Sequence, residues 1–305
     1  MTQLDVLIPH FNAPEDLLRS LLSVKQQTWP GEKRIVVVDD ASNSTNKKAV
    51  EGICSHLDMN ICLFFNPYNR GRPYTRNVLL DSITSPYVAW LDAGDEWYSD
   101  KLEIQFTFLQ WIEIIYPDRP YWITCHYDMA WVSKNKRLTR QVAKGDQIKS
   151  LLMGSSLRAY LWTLLGTAKS FRQVGWFDEQ LYRLQDLDFF IRFILHGGRI
   201  RTPNTTDKAL CAYHKSDVGR CAQEIRRCNA RIFEKYRVLY NRYGKRFKCM
   251  RQYDMEKLSL RVARANGDSR SVRRFNRQAF KQRPFAYIKE MLSGLRAKIG
   301  QFFNV

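Results

Sequence analysis

The stretch "YVAWLDAGDEWYSDKLE", Tyr87–Glu103, decides how the first hundred residues are read. Val88–Leu91 form a short uninterrupted apolar run that stops at Asp92-Ala93-Gly94-Asp95. A run of this kind is a strand covered on both faces, as strands of a parallel sheet are. It ends in two carboxylates kept apart by the two smallest side chains. A polar turn accounts for such a pair. So does a cation site, because Mg²⁺ and Mn²⁺ take one or two carboxylates plus substrate phosphates.

Outward from this strand the pattern repeats. "DVLIP" (5–9), "RIVVVDD" (34–40) and "ICLFF" (61–65) read as further buried strands. Helical spacing fills 14–27, 47–56 and 73–83. The β-α-β-α order predicts an α/β fold with a largely parallel sheet, and ligands bind such sheets outside the carboxyl ends of the strands. Three of those ends are polar here: "PHFN", "DDAS" and "DAGD". Residues 114–183 are less regular. "YWITCHYDMAWV" reads as a strand pair and "AYLWTLLGTAKSF" as a strand entering a short helix. A helix over 186–196 is stopped by Gly197-Gly198, and "KALCAYH" (208–214) reads as a last strand. Helices are expected over 217–243, 254–265, 269–279 and 284–303, with breaks near Gly244 and Gly267.

Charge divides the chain at the same place. The net is +19, and residues 215–305 hold 24 Lys/Arg against 7 Asp/Glu, leaving the first 214 residues almost neutral. A nearly neutral body is thus set off from a strongly basic last third, for which an anionic partner is expected. Seven cysteines with no C-x-x-C spacing fit reduced thiols. "LDVLIP" reads as a first strand and not as a signal peptide, and no run of about 18 apolar residues suggests a membrane span.

Within the polar exits, Asn12 before Ala-Pro-Glu-Asp suits a helix cap, while Phe11 suits a nucleobase platform. Asp39 and Asp40 are adjacent like charges, which cost energy unless something binds them. "NPYNRGRPYTRN" (66–77) offers Arg70, Arg72 and Arg76 as planar forks for phosphate, without the order of a P-loop. Asp186 and Asp188 open a helix, where N-capping explains an aspartate and a general base is the alternative.

Taken in order, "VLIPHFN…LLRSLLSVKQQTW", "RIVVVDDAS", "NRGRPYTRN", "YVAWLDAGDEWYSDKLE" and "VGWFDEQLYRLQDLDFFIRFILHGGRI" resemble the inverting family 2 glycosyltransferases of bacterial cell-surface glycan type, with the GT-A fold. The resemblance covers about residues 3–216. It implies a catalytic domain over 1–215 and sugar transfer from a nucleotide-diphosphate donor, a UDP-sugar first, with Mn²⁺ or Mg²⁺. Pro9, Phe11, Asn12, Asp39, Asp40, Arg76 and Asp92 would then serve the donor nucleotide, and Asp186 would be the catalytic base. Asp95, with Asp92 and His214, would serve the metal. Gln185 and the 125–170 region, Trp162 and Thr167 included, would face the acceptor. Two positions depart from the family pattern. Gly94 stands at the middle acid of D-x-D-D, which makes Asp95 the preferred metal contact, and Gln185 stands where a glutamate is usual.

The basic region lies beyond the resemblance. Phe285, Ile288, Leu292, Leu295, Ile299 and Phe302 form one stripe of an amphipathic helix, followed by Phe303. Docking on the anionic inner face of a cell membrane is expected, with the catalytic part in the cytoplasm and a glycan or lipid-linked glycan as acceptor. Packing on the body or oligomerisation are alternatives. A catalytically impaired relative is a competing reading. Nucleic-acid binding matches the charge but lacks a recognition motif, and nucleic acid is not expected as a partner.

Overall fold

The computed structural model describes residues 3–131, 134–205, 207–215 and 221–302, without the side chains of 131, 134, 135, 215 and 294–302. Asp217 and Phe303, both expected to be helical, lie outside the described residues, as do the side chains of Leu295, Ile299 and Phe302. The chain forms two compact units, Met1–Ser216 and Asp217–Val305.

The first unit begins β1 (Gln3–His10), α1 (Pro14–Lys25), β2 (Glu32–Asp39), α2 (Ser44–His56), β3 (Ile61–Phe65), α3 (Arg72–Asp81) and β4 (Tyr87–Trp90). It continues with β5 (Glu96–Trp97), α4 (Lys101–Ile115), β6 (Tyr121–Ile123), β7 (Tyr127–Trp131), β8 (Lys134–Thr139) and α5 (Gln147–Met153). A 3₁₀ turn at Leu161–Thr163 leads to β9 (Leu165–Thr167), α6 (Ala168–Val174), α7 (Gln185–Leu195), β10 (Arg199–Arg201) and β11 (Cys211–Lys215).

The main sheet has the order β10-β6-β9-β4-β1-β2-β3. β1, β2, β3 and β4 are parallel, with His10 beside Asp39 and Leu7 beside Trp90, so their polar exits open at one end. That is the arrangement expected from the uninterrupted apolar runs. β9 is antiparallel to both β4 and β6. Consequently Thr167 pairs with Tyr87, at the start of β4 and away from Asp92. There its hydroxyl accepts from Ser170 N at 3.2 Å and caps α6. The acceptor role expected for Thr167 fails on this reversal of direction. The "YWITCHYDMAWV" strands do not pair with each other either. β6 joins the main sheet, and β7 joins a second sheet of order β5-β11-β7-β8.

Aspartate 5 locks the parallel core. It is fully buried and accepts from Arg34 Nε and Nη2 at 2.8 Å each, from Thr84 N and Ser85 N at 2.7 and 3.0 Å, and from Ser85 Oγ at 2.7 Å. β1, β2 and the approach to β4 thus share one carboxylate. Farther along, Trp122 of β6 stacks on Phe193 at 3.7 Å and on Phe171 at 4.6 Å, joining the sheet to α6 and α7.

The second unit holds α8 (Ala222–Lys235), α9 (Arg237–Arg242), α10 (Gly244–Ala265), α11 (Ser269–Gln282) and α12 (Pro284–Phe302). The sequence suggests one helix up to 243, but the chain turns at buried Tyr236, and Tyr240 stacks on Phe233 at 4.6 Å. α10 starts at Gly244 because buried Phe247 and Tyr253 anchor its first turns. Ile225, Leu260, Ala263 and Phe275 form this unit's own core. No helix among the described residues is long and apolar enough to cross a membrane.

The Asp5 cluster gives a pH signature. Burial alone would raise this carboxyl, but Arg34, Ser85 and Thr84 outweigh it and hold the pKa below 3.8. Its contribution is present above the unfolded pKa and is lost as pH falls through the folded one. Urea titrations should show Asp5→Asn costing about 3–5 kcal/mol at neutral pH, as for a broken buried pair, with a flatter loss of stability in acid.

Candidate active site

A cleft of about 450 Å³ opens at the carboxyl ends of β1, β2 and β4. Pro9, His10, Phe11, Asp40, Arg72 and Asp92 are among its lining residues. Phe11 is 48% exposed, so its ring is available to a planar ligand.

The two adjacent aspartates have separate tasks. Asp39 is fully buried and does not line the cleft. Its Oδ2 receives His10 Nδ1 at 2.6 Å and Ser42 Oγ at 2.6 Å, and its Oδ1 receives Ser42 N at 2.8 Å. Burial pushes its pKa up, but His10 and Ser42 prevail and leave it lowered. His10 Nε2 accepts from Ala13 N at 3.1 Å, which leaves the ring proton on Nδ1. Asp40 does line the cleft. It receives Asn66 Nδ2 and Arg70 N at 2.9 and 3.1 Å, and Gly71 N at 2.8 Å. It thereby folds the 66–71 loop around the cleft, with Gly71 at φ 85°. Asn12 does not cap α1. Ala13 holds that position, and Asn12 Oδ1 instead accepts from Asn43 N at 2.9 Å, tying the β1 exit to the β2 exit.

Beside Asp40 runs α3, whose Arg76 is 1% exposed. Its Nη2 donates to both oxygens of Asp92, at 2.8 and 3.1 Å, and its Nη1 donates to Asp186 Oδ1. Gln185, with its amide oxygen turned toward Arg76, accepts from Nη1 at 3.1 Å. One guanidinium therefore spans from the exit of β4 to the first turn of α7. Asp186 does not cap α7, since Leu184 holds that position in the left-handed region at φ 64°. The carboxylate faces Arg76 instead. Burial is the largest influence on Asp186 and raises its pKa, Arg76 opposes it, Asp92 adds to it, and the net is upward. For Asp92 burial also raises, but Arg76 and Arg72 win and the net is downward.

The Asp92–Asp95 loop rests on α1. Asp16 O and Ser20 Oγ accept from Gly94 N at 3.1 and 2.9 Å, and Ser20 Oγ donates to Asp95 O at 2.7 Å. Gly94 sits at φ 99°, and a Cβ there would lie 3.4 Å from the Asp16 carboxyl carbon. An acidic side chain at 94 would be strained and pressed against another acid.

The expected metal ligands divide. Asp92 lines the cleft. Asp95 is buried and is not among the lining residues, its Oδ1 accepting from His214 N at 3.2 Å. Burial, then Asp92, push the Asp95 pKa well up. His214 Nε2 lies 2.9 Å from Glu96 Oε1. Among the described residues no group of three such side chains is arranged to cage a cation. The arrangement fits a cation carried by a cleft carboxylate and ligand phosphates, a mode open to Mg²⁺ and Mn²⁺. Trp162, expected on the acceptor side, is 2% exposed and stacks with Tyr160 and Tyr213 at 5.2 and 5.5 Å as part of the main hydrophobic core.

Reading the sequence missed His10, Asp16 and Ser20. His10 between Pro9 and Phe11, and Asp16 and Ser20 four apart on a helix, are the signals that were present.

Fold and cleft define a GT-A type α/β domain built to hold a ligand at parallel strand exits. The family model for glycosyl transferase family 2 matches residues 5–164, and the chain belongs to that family. The UDP-Glc:alpha-D-GlcNAc-diphosphoundecaprenol beta-1,3-glucosyltransferase WfgD of Escherichia coli is 32% identical over 104 residues, 34% of this chain and 40% of its own length. The amylovoran biosynthesis glycosyltransferase AmsB of Erwinia amylovora is 28% identical over 193 residues, 61% and 62% of the two chains. Matched segments thus span from two fifths to three fifths of these relatives. The structure of S. aureus TarS 1-349 in complex with UDP-GlcNAc superposes with a TM-score of 0.59 at 17% identity, over 86% of this chain and 83% of that one.

Removing Arg76 tests the shared fork. Arg76→Met should cost about 3–5 kcal/mol in urea unfolding at neutral pH, because two carboxylates lose their cation. The Asp92 pKa would then rise above its unfolded value and that of Asp186, already raised, would rise further, so the deficit should shrink as pH falls toward 4. Adding Asp92→Asn should recover part of it.

Proposed function

We propose that the chain is an inverting glycosyltransferase that moves a sugar from a nucleoside-diphosphate donor, a UDP-sugar first, to a hydroxyl of a cell-surface or lipid-linked glycan. The observation that carries this reading is the Arg76 fork. It links Asp92 on the cleft to Asp186, which lies on the other arm of the guanidinium and is 19% exposed at its side chain. The names of WfgD and of the TarS complex support a UDP-sugar donor.

In this reading Phe11 flanks the base, and Asp40 with its loop holds the nucleoside end. Asp186 Oδ2 receives the acceptor proton while the acceptor oxygen bonds to the anomeric carbon. The bond from that carbon to the diphosphate oxygen breaks, and the nucleoside diphosphate leaves. A single displacement inverts the centre. The upward shift of Asp186 suits a base, because a less acidic carboxylate takes a proton more readily. Arg76 limits that shift and fixes the carboxylate in place. Asp92, with Asp95 and His214 behind it, would hold Mn²⁺ or Mg²⁺, and such a cation offsets charge on the leaving diphosphate. Gln185 contacts Arg76 as a neutral acceptor, so its amide suffices for the bracing role that it has here.

For the second unit, the proposal is contact with an anionic membrane surface. Phe285, Ile288, Met291 and Leu292 are exposed at helical spacing on α12, and Arg270, Arg273, Arg274 and Arg277 are exposed on α11. Apolar side chains beside arginines suit a headgroup boundary.

Asp186→Asn should reduce transfer by about 10²–10⁴-fold while leaving donor affinity within a few-fold, measured by product formation and by calorimetry. Near-normal turnover would remove Asp186 from the base role. Phe285→Ser with Ile288→Ser and Leu292→Ser should weaken co-sedimentation with phosphatidylglycerol vesicles by at least about tenfold. Undiminished sedimentation would reject α12 as the contact.

A further inference from the structure

Three arginines follow one another in "NRGRPYTRN", and the fold gives each a different situation. Arg76 is buried and shared between two carboxylates. Arg70 donates to Glu179 at 3.2 Å, and its guanidinium lies 3.6 Å from the centre of the Tyr74 ring. Arg72 lines the cleft with its side chain 61% exposed, and its nearest carboxylate oxygen, on Asp92, is 3.9 Å away. That separation is outside hydrogen-bond range. Both Asp92 oxygens are already hydrogen-bonded by Arg76, so Arg72 adds charge attraction to Asp92 but no hydrogen bond.

The cleft's charge makes this exposed guanidinium consequential. Asp16, Asp40 and Asp92 all line it, and among the described lining residues Arg72 is the only lysine or arginine. A diphosphate placed beside three carboxylates is repelled unless cations intervene. Arg72 begins α3 after Gly71, whose N–H is fixed on Asp40, so its Cα is held while the side chain can swing.

We propose that Arg72, and not the buried Arg76, is the arginine that binds the diphosphate of the donor directly. This rests on the nucleoside-diphosphate reading above. The guanidinium turns from Asp92 to the phosphate oxygens and donates to two of them, while Arg76 stays on Asp92. Arg72 is then a specificity residue. It separates nucleoside diphosphates from monophosphates, and it shares with a divalent cation the task of offsetting leaving-group charge.

The test starts with wild-type protein titrated calorimetrically with UDP, GDP, ADP and dTDP, in EDTA and with Mn²⁺. The tightest diphosphate and its monophosphate are then measured on Arg72→Gln, Arg72→Lys and Arg70→Gln. Thermal unfolding checks that each variant is folded, as expected for exposed positions. Arg72→Gln should lose about tenfold in diphosphate affinity while the monophosphate changes less than about twofold, since charge-assisted bonds to phosphate are the stronger kind. Arg72→Lys should fall between, because it keeps charge but not the fork. Arg70→Gln should keep the wild-type preference. An unchanged diphosphate affinity in Arg72→Gln, or an equal loss for the monophosphate, would overturn the proposal. Equal losses in Arg70→Gln and Arg72→Gln would do so too, by reducing the effect to general charge. A wild-type protein that binds none of the diphosphates would overturn the donor reading itself.

Discussion

One buried guanidinium holds the site together. Arg76 has a single rigid plane and must satisfy carboxylates that come from the exit of β4 and the start of α7, residues 92 and 186. The planar fork fixes their separation, which a lysine's point charge would not do. Asp92 is thereby kept ionised at the cleft, while burial, against the pull of Arg76, leaves Asp186 less acidic than usual beyond it. Two carboxylates in one small region thus acquire opposite shifts, which in the proposed reaction keeps Asp92 charged beside a cation and leaves Asp186 the better proton acceptor. The parallel sheet brings the fork's parts to one end, and the Asp5 cluster keeps β1, β2 and the start of β4 in step beneath them.

The departure at Gly94 has a local explanation. α1 lies against the 92–95 loop, and its Asp16 and Ser20 accept from Gly94 N. A left-handed backbone and a nearby carboxylate both favour glycine there. The acid absent from position 94 is matched by the Asp16 carboxylate beside it, so the cleft stays acidic although the motif has lost a member.

Much of this is legible in the sequence. Apolar runs located the four parallel strands, because burial on both faces leaves no polar alternation to confuse the reading. The polar residues at their ends located the cleft. Direction and burial were less accessible. Nothing local in "LLGT" states that β9 runs against its neighbours, and that reversal is what removes Thr167 from the acceptor side. The sequence also does not say which of Arg70, Arg72 and Arg76 becomes buried, since that follows from where Asp92 and Asp186 arrive in space. The same holds for Asp39 and Asp40, where His10 and Ser42 claim the first and leave the second for the cleft. The break at Tyr236 carries no glycine or proline and is set by ring packing.

The central claim is a single displacement with Asp186 as base. Proton NMR of freshly formed product, from a nucleoside-diphosphate sugar with a glycan or water as acceptor, reads the anomeric configuration directly. The account predicts that the configuration is inverted relative to the donor. Product with the donor's configuration retained would contradict it.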